Sequence, residues 1–167
     1  MSGIYSGISI VPVEGFRMAR YVIISPAPED DVNAYMDAWA KKSGLFDVPG
    51  YVPRKIGWDF PFVTEEQQKN FGLRGYVAAY ILPEGFEPAC PGAEIAQQAA
   101  DTYAKITITD PFFAPFERIP PAYQMIMAYN QENGLGPHSW EGRICFEEVR
   151  EENGVTYMDV YFPADAK

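Results

Sequence analysis

The chain has 167 residues, enough to bury a core without disulfide or metal, and 13 basic against 23 acidic residues leave a net charge of −10. That charge argues against nucleic acid and against an anionic membrane surface, since both are held mainly by Lys and Arg. No apolar run approaches the roughly 18–20 residues of a membrane span, and Cys90 and Cys145 stand far apart, as in a reduced cytoplasmic protein.

Residues 1–15 read as an N-terminal leader or edge strand, with neither the basic start nor the apolar stretch of a signal peptide. FRMARYVIIS (16–25) is β-branched and aromatic in its second half and predicts a strand. Pro26 and Pro28 then open a helix. Glu29, Asp30 and Asp31 complement its positive end, Val32, Tyr35, Met36 and Trp39 form one apolar stripe, and Gly44 stops it. Strands are expected at 52–59 and 73–82, with a loop at 60–72 and another at 83–92. TYAKITIT (102–109) alternates and predicts a strand. A second helix is expected from about Phe116 to Asn133, with Pro120 and Pro121 in or near its first turn, because deeper prolines cost ~3 kcal/mol. Two strands, 141–150 and 155–162, flank Asn153-Gly154, the preferred type I′ hairpin pair.

Strand, helix, strand, strand is thus written twice. VNAYMDAWAKKSGL (32–45) lies over AYQMIMAYNQENGL (122–135), and PRKIGWD (53–59) over GRICFEE (142–148), which matches Trp58 to Glu147. The expected fold is α+β: a duplicated β-α-β-β with pseudo-two-fold symmetry, an antiparallel sheet, two main helices and a central cleft. It forms a single domain over 16–167, with repeat halves at about 16–90 and 91–167. Grooves between halves are common ligand sites.

The C-terminal hairpin carries the sharpest chemistry. With Asn153-Gly154 as its loop, Glu152 pairs with Val155, and opposed residues share a face. One face then carries Phe146, Glu148, Arg150, Tyr157, Asp159 and Tyr161. The other carries Cys145, Glu147, Val149, Met158, Val160 and Phe162. Glu147 is a carboxylate among apolar neighbours, suited to a lipophilic cation or to general-base work; a register slip of one residue would put Glu148 in its place. Trp58, Tyr76, Tyr80 and Trp140 are the aromatic candidates for the walls of the cleft, where flat rings favour planar or cationic ligands. The alternative for each is plain core packing. His138, the one histidine, reads as a loop residue rather than a metal or haem ligand. No metal site, phosphate loop or dinucleotide motif is present in the sequence, so no cofactor is expected.

WAKKSGL (39–45), RKIGWD (54–59), GYVAAYILPEGFEP (75–88), the AY…AYNQENG helix (122–134), FEEV (146–149) and MDVYFP (158–163) resemble, in order and spacing, the GyrI-like small-molecule-binding family. This domain is the effector-binding module of bacterial multidrug-responsive and AraC-type transcription regulators, and the resemblance runs from about Phe16 to Ala164. It implies the duplicated fold and a cleft for hydrophobic, often cationic, compounds. It also implies an acidic residue on the penultimate strand, here Glu147, followed two positions later by a Tyr that is Val149 in this chain. With about 15 residues before the first strand, no DNA-binding module is expected. Three roles stay open. The chain could be a binding protein that senses or sequesters a small ligand, or a hydrolase of strained cyclopropane-containing natural products with Glu147 as base. It could also be a protein–protein modulator such as a DNA gyrase inhibitor. Ligand, partner and oligomeric state are not legible in the sequence.

Overall fold

A computed structural model describes residues 3–165; Met1 and Ser2 of the expected leader, and Ala166 and Lys167 of the expected domain, lie outside the described residues. The elements in order are β1 (Ser9–Val13), β2 (Phe16–Ser25), α1 (Pro28–Ser43), β3 (Lys55–Phe60), α2 (Glu65–Phe71), β4 (Arg74–Ile81), β5 (Glu94–Gln98), β6 (Asp101–Thr109), α3 (Pro115–Glu132), β7 (Phe146–Glu152) and β8 (Val155–Pro163). The fold is α+β, and every described strand pairing is antiparallel.

The chain divides into two compact units. One is Phe16–Gln98; the other joins Met1–Gly15 to Ala99–Lys167. The first orders its strands β3-β4-β2-β5, the second β7-β8-β6-β1. Each unit therefore holds a strand–helix–strand–strand repeat and adds a fourth strand beside the repeat's first one. The fourth strands are exchanged: β1 precedes β2 by two residues yet pairs with β6, and β5 precedes β6 by two residues yet pairs with β2.

In the Phe16–Gln98 unit, α1 starts on Pro28 with Glu29, Asp30 and Asp31 in its first turn and closes on Gly44 at φ 87°. Its stripe Val32, Met36, Trp39 and Ala40 packs on Ala19, Tyr76, Ala78, Tyr80 and Leu82. Tyr80, Ala78 and Tyr76 stand opposite Lys55, Gly57 and Asp59, so these three also face α1. Ile56, Trp58, Val77 and Ala79 face the other way.

Tyr76 reaches across the strand and covers Gly57. A Cβ at Gly57 would run into the Tyr76 hydroxyl and lie 2.6 Å from its ring. Because Tyr76 is 8% exposed, its ring has little room to yield. Gly57→Ala is expected to cost about 1–3 kcal/mol, read as a lower urea midpoint at unchanged slope. An unchanged midpoint would show that Tyr76 relocates freely.

In the second unit, α3 packs Ala122 and Ile126 on Ala104, Ile106, Ile108, Met158 and Val160. The hairpin register is the one read from the sequence: Glu152 faces Val155, Glu147 faces Val160, and Asn153 and Gly154 both take positive φ. Glu147 therefore lies on the α3 side. The other side carries a ring cluster of Tyr103, Phe146 and Tyr161.

Four local expectations need correction. The 60–72 loop contains α2, started by a capping box in which Thr64 and Gln67 satisfy each other's backbone N–H. β5 has no counterpart among the expected elements. α3 begins at Pro115, so Pro120 and Pro121 fall in its second turn, and the two helix hydrogen bonds their missing N–H groups would make are absent. β7 begins at Phe146 rather than 141, because 141–145 is drawn into a turn by Arg143, whose N–H bonds the Trp140 carbonyl. No helix among the described residues is long and apolar enough to cross a membrane.

Candidate functional site

Glu147 is the second residue of β7, half-buried, opposite the fully buried Val160. Its Oε2 accepts a hydrogen bond of 2.7 Å from the Tyr123 hydroxyl of α3. Tyr123 belongs to the helix stripe that includes Ile119 and Ile126, and that period makes it look like packing alone. The phenol hydroxyl bonded to Glu147 thus comes from the helix. Met127, one turn after Tyr123, and Val149, two residues after Glu147, are each 46% exposed, which leaves apolar surface beside the carboxylate.

Phe162 lies on the same side of the sheet as Glu147, and Trp140 stands edge-on to it with centroids 5.4 Å apart. Trp140 itself is 48% exposed. Its loop is pinned from below by Arg143, which donates to both oxygens of Asp101 at 2.8 and 3.1 Å, to Asp165 at 2.5 Å and to the Ser139 carbonyl. Asp165 Oδ2 also accepts from the His138 N–H and lies 2.6 Å from His138 Nδ1. The His138 N–H, then Arg143 and the His138 ring, hold the Asp165 carboxyl down at about 2.

The remaining candidates each have their own surroundings within their units. Glu148 is on the opposite side from Glu147, facing Asp159 across the strand pair. Tyr80 is 4% exposed, and its hydroxyl donates to Asp37 Oδ1 at 2.6 Å, an oxygen that also takes Lys55 Nζ at 2.7 Å. Burial, followed by that bond to Asp37, raises the Tyr80 hydroxyl's pKa. Tyr76 and Tyr80 both belong to the α1 core, whereas Trp58 lies on the other side of the same unit. The repeat match of Trp58 to Glu147 is off by one residue in face: Glu147 points toward its unit's helix and Trp58 away from its own. The cause is an alignment anchored on Arg54 and Arg143, one in a strand flank and the other in a turn. Among the described residues no group of three His, Cys, Asp or Glu side chains is placed to hold a metal.

No family profile and no curated protein matches the sequence. Solved structures do match in fold. EcmrR in a DNA complex aligns with TM-score 0.67 at 11% identity, over 98% of this chain and 59% of that one. The EcmrR C-terminal domain aligns with TM-score 0.63 at 10% identity, over 96% and 98%. The chain has the GyrI-like fold. It spans about three-fifths of the EcmrR chain seen with DNA and nearly all of the C-terminal domain. SAV2435 bound to tetraphenylphosphonium aligns at 0.53 and 9% identity, over 96% and 95%. A hydrolase from Listeria innocua aligns at 0.54 and 7% identity, over 92% and 90%.

Proposed function

We propose that this chain binds a small lipophilic cation, with Glu147 as the counter-charge. The observation that supports this reading is the Glu147–Tyr123 pair: a half-buried carboxylate set by a phenol hydroxyl. Met127 and Val149 lie exposed along its flanks, and Phe162 and Trp140 occupy the same side of the unit. A carboxylate against apolar and aromatic surface favours a cation that brings its own hydrophobic shell, because little water need be stripped from it. Tetraphenylphosphonium on SAV2435, a protein of the same fold, is a ligand of that class.

The test is a fluorescence titration with tetraphenylphosphonium in a Trp39→Phe/Trp58→Phe background, which leaves Trp140 as reporter. Saturable quenching is expected, with neutral triphenylphosphine oxide binding more weakly. Glu147→Gln should weaken the cation about tenfold or more, and Tyr123→Phe by a smaller factor. Equal affinity of wild type and Glu147→Gln would overturn the assignment. A second reading rests on the same pair. A carboxylate held by a phenol can take a proton from water, and a hydrolase shares the fold. That reading requires multiple turnovers of a strained cyclopropane substrate, lost in Glu147→Gln; stoichiometric binding alone leaves the chain a binding protein.

A further inference from the structure

A cavity of about 480 Å³ lies in the unit formed by the two chain ends and is lined by Asp110, Phe112, Phe113, Arg118 and Thr156. It is built from the turn between β6 and α3. Asp110 holds φ 48°, a left-handed conformation that few non-glycine residues take. Both its backbone groups are used: its N–H donates to the Thr156 carbonyl at 2.8 Å, and its carbonyl accepts from Arg118 Nη1 at 3.0 Å. The turn thereby fixes where the Asp110 carboxylate projects.

Arg118 is held equally firmly. Nη1 donates to the Thr109 and Asp110 carbonyls, and the guanidinium lies over the Phe113 ring at 4.8 Å. Two of its five N–H donors are therefore occupied, and among the described residues the three on Nε and Nη2 have no hydrogen-bond acceptor and can serve a ligand. A surface arginine ordinarily pays rotamer entropy on binding; this one is already ordered. No ion pair joins Asp110 to Arg118 among the described residues. Phe112 and Phe113 are 57% and 72% exposed, and Phe116 beyond them is 88% exposed.

We propose that this cavity binds a zwitterion with an apolar body, of the chemical class of an aromatic or large aliphatic α-amino acid. Asp110 takes the ammonium, Arg118 the carboxylate, and Phe112 and Phe113 the side chain. A pure anion meets the Asp110 charge, and a pure cation meets Arg118; a ligand carrying both charges satisfies both. The volume lies within the range of small-molecule sites.

The probes are L-phenylalanine, N-acetyl-L-phenylalanine, which lacks the ammonium, and L-phenylalaninamide, which lacks the carboxylate. Amide chemical shifts of the full chain are followed during each titration. L-Phenylalanine at millimolar concentration is expected to shift the amides of residues 109–118 in a saturable way. The two single-charge analogues should bind about tenfold or more weakly, the loss of one charged contact. Asp110→Gly removes the carboxylate at a position whose φ suits glycine, so the fold is kept. It should weaken L-phenylalanine about tenfold and bring the N-acetyl analogue to parity with it. Glu147→Gln should change nothing, since this site stands apart from the proposed cation site. Absence of any shift at millimolar L-phenylalanine, or equal binding of the three probes, would overturn the proposal.

Discussion

Replacing Asp159 by alanine is expected to cost about 3–5 kcal/mol, the range for removing one partner of a buried charge cluster. Asp159 is 3% exposed in an inner strand of its unit, with Thr107 opposite it on β6 and Glu148 opposite it on β7. Arg150 reaches it with Nε at 2.8 Å, the Thr107 hydroxyl donates to it at 2.7 Å, and Lys105 Nζ stands 4.0 Å away. Without the carboxylate, Arg150 and Lys105 face each other across a half-buried surface, although Arg150 also contacts Glu152 at the hairpin end. Burial by itself would raise the Asp159 pKa; the bonds from Arg150 and Thr107, and then the Lys105 charge, outweigh it and leave the group lowered. Its contribution is therefore present above the ordinary carboxylate pKa near 3.9 and is lost as pH falls through the lower folded value. Urea titration of wild type and Asp159→Ala should show a gap in midpoint at neutral pH that narrows in acid. A gap that persists unchanged in acid would assign the loss to packing instead of charge.

The parts of this fold that are legible in the sequence are those in which one local signal has no competitor. The α1 stripe at 32, 35, 36 and 39, its acidic start and Gly44 fix a helix by themselves. Asn153-Gly154 fixes a hairpin, the hairpin fixes its register, and the register puts Glu147 and Glu148 on opposite sides. What escapes is whatever depends on a partner distant in sequence. β5 is five ordinary residues whose identity as a strand comes from β2, about seventy-five residues earlier in the chain. α2 is short and buries nothing, so no apolar period announces it, although the Thr64-x-x-Gln67 box was there to read. Tyr123 carries the clearest lesson for the site. A tyrosine on a core stripe satisfies the packing pattern with its ring, and nothing in a linear reading shows that its hydroxyl lies 2.7 Å from a carboxylate 24 residues later. Tyr80 shows the converse: an aromatic offered as a cleft wall is committed, through Asp37 and Lys55, to holding α1 on its sheet.

Arg143→Met is the other substitution with a large expected effect, about 2 kcal/mol, the scale of hydrogen bonds between charged groups. Arg143 is 14% exposed and ties three separate pieces of chain: Asp101 at the start of β6, the Ser139 carbonyl in the Trp140 loop, and Asp165 after β8. Methionine fills similar volume but donates nothing, and it leaves Asp101 and Asp165 as like charges around an apolar side chain. The loop should then loosen, seen as lower fluorescence anisotropy of Trp140 in the Trp39→Phe/Trp58→Phe background. Adding Asp101→Asn removes the repulsion and should recover part of the loss, so the two substitutions are non-additive. The pH profile has a definite sign. The Asp165 carboxyl, held at about 2 by His138 and Arg143, contributes above the ordinary value near 3.9 and ceases to contribute as pH falls through about 2. The gap between wild type and Arg143→Met should therefore narrow in that interval without closing, because protonation of Asp165 removes one of the contacts the substitution removes, while those to Asp101 and the Ser139 carbonyl are separate. If Trp140 anisotropy is the same in both proteins at neutral pH, the fork does not hold the loop, and Trp140 is positioned by its edge-on contact with Phe162 alone.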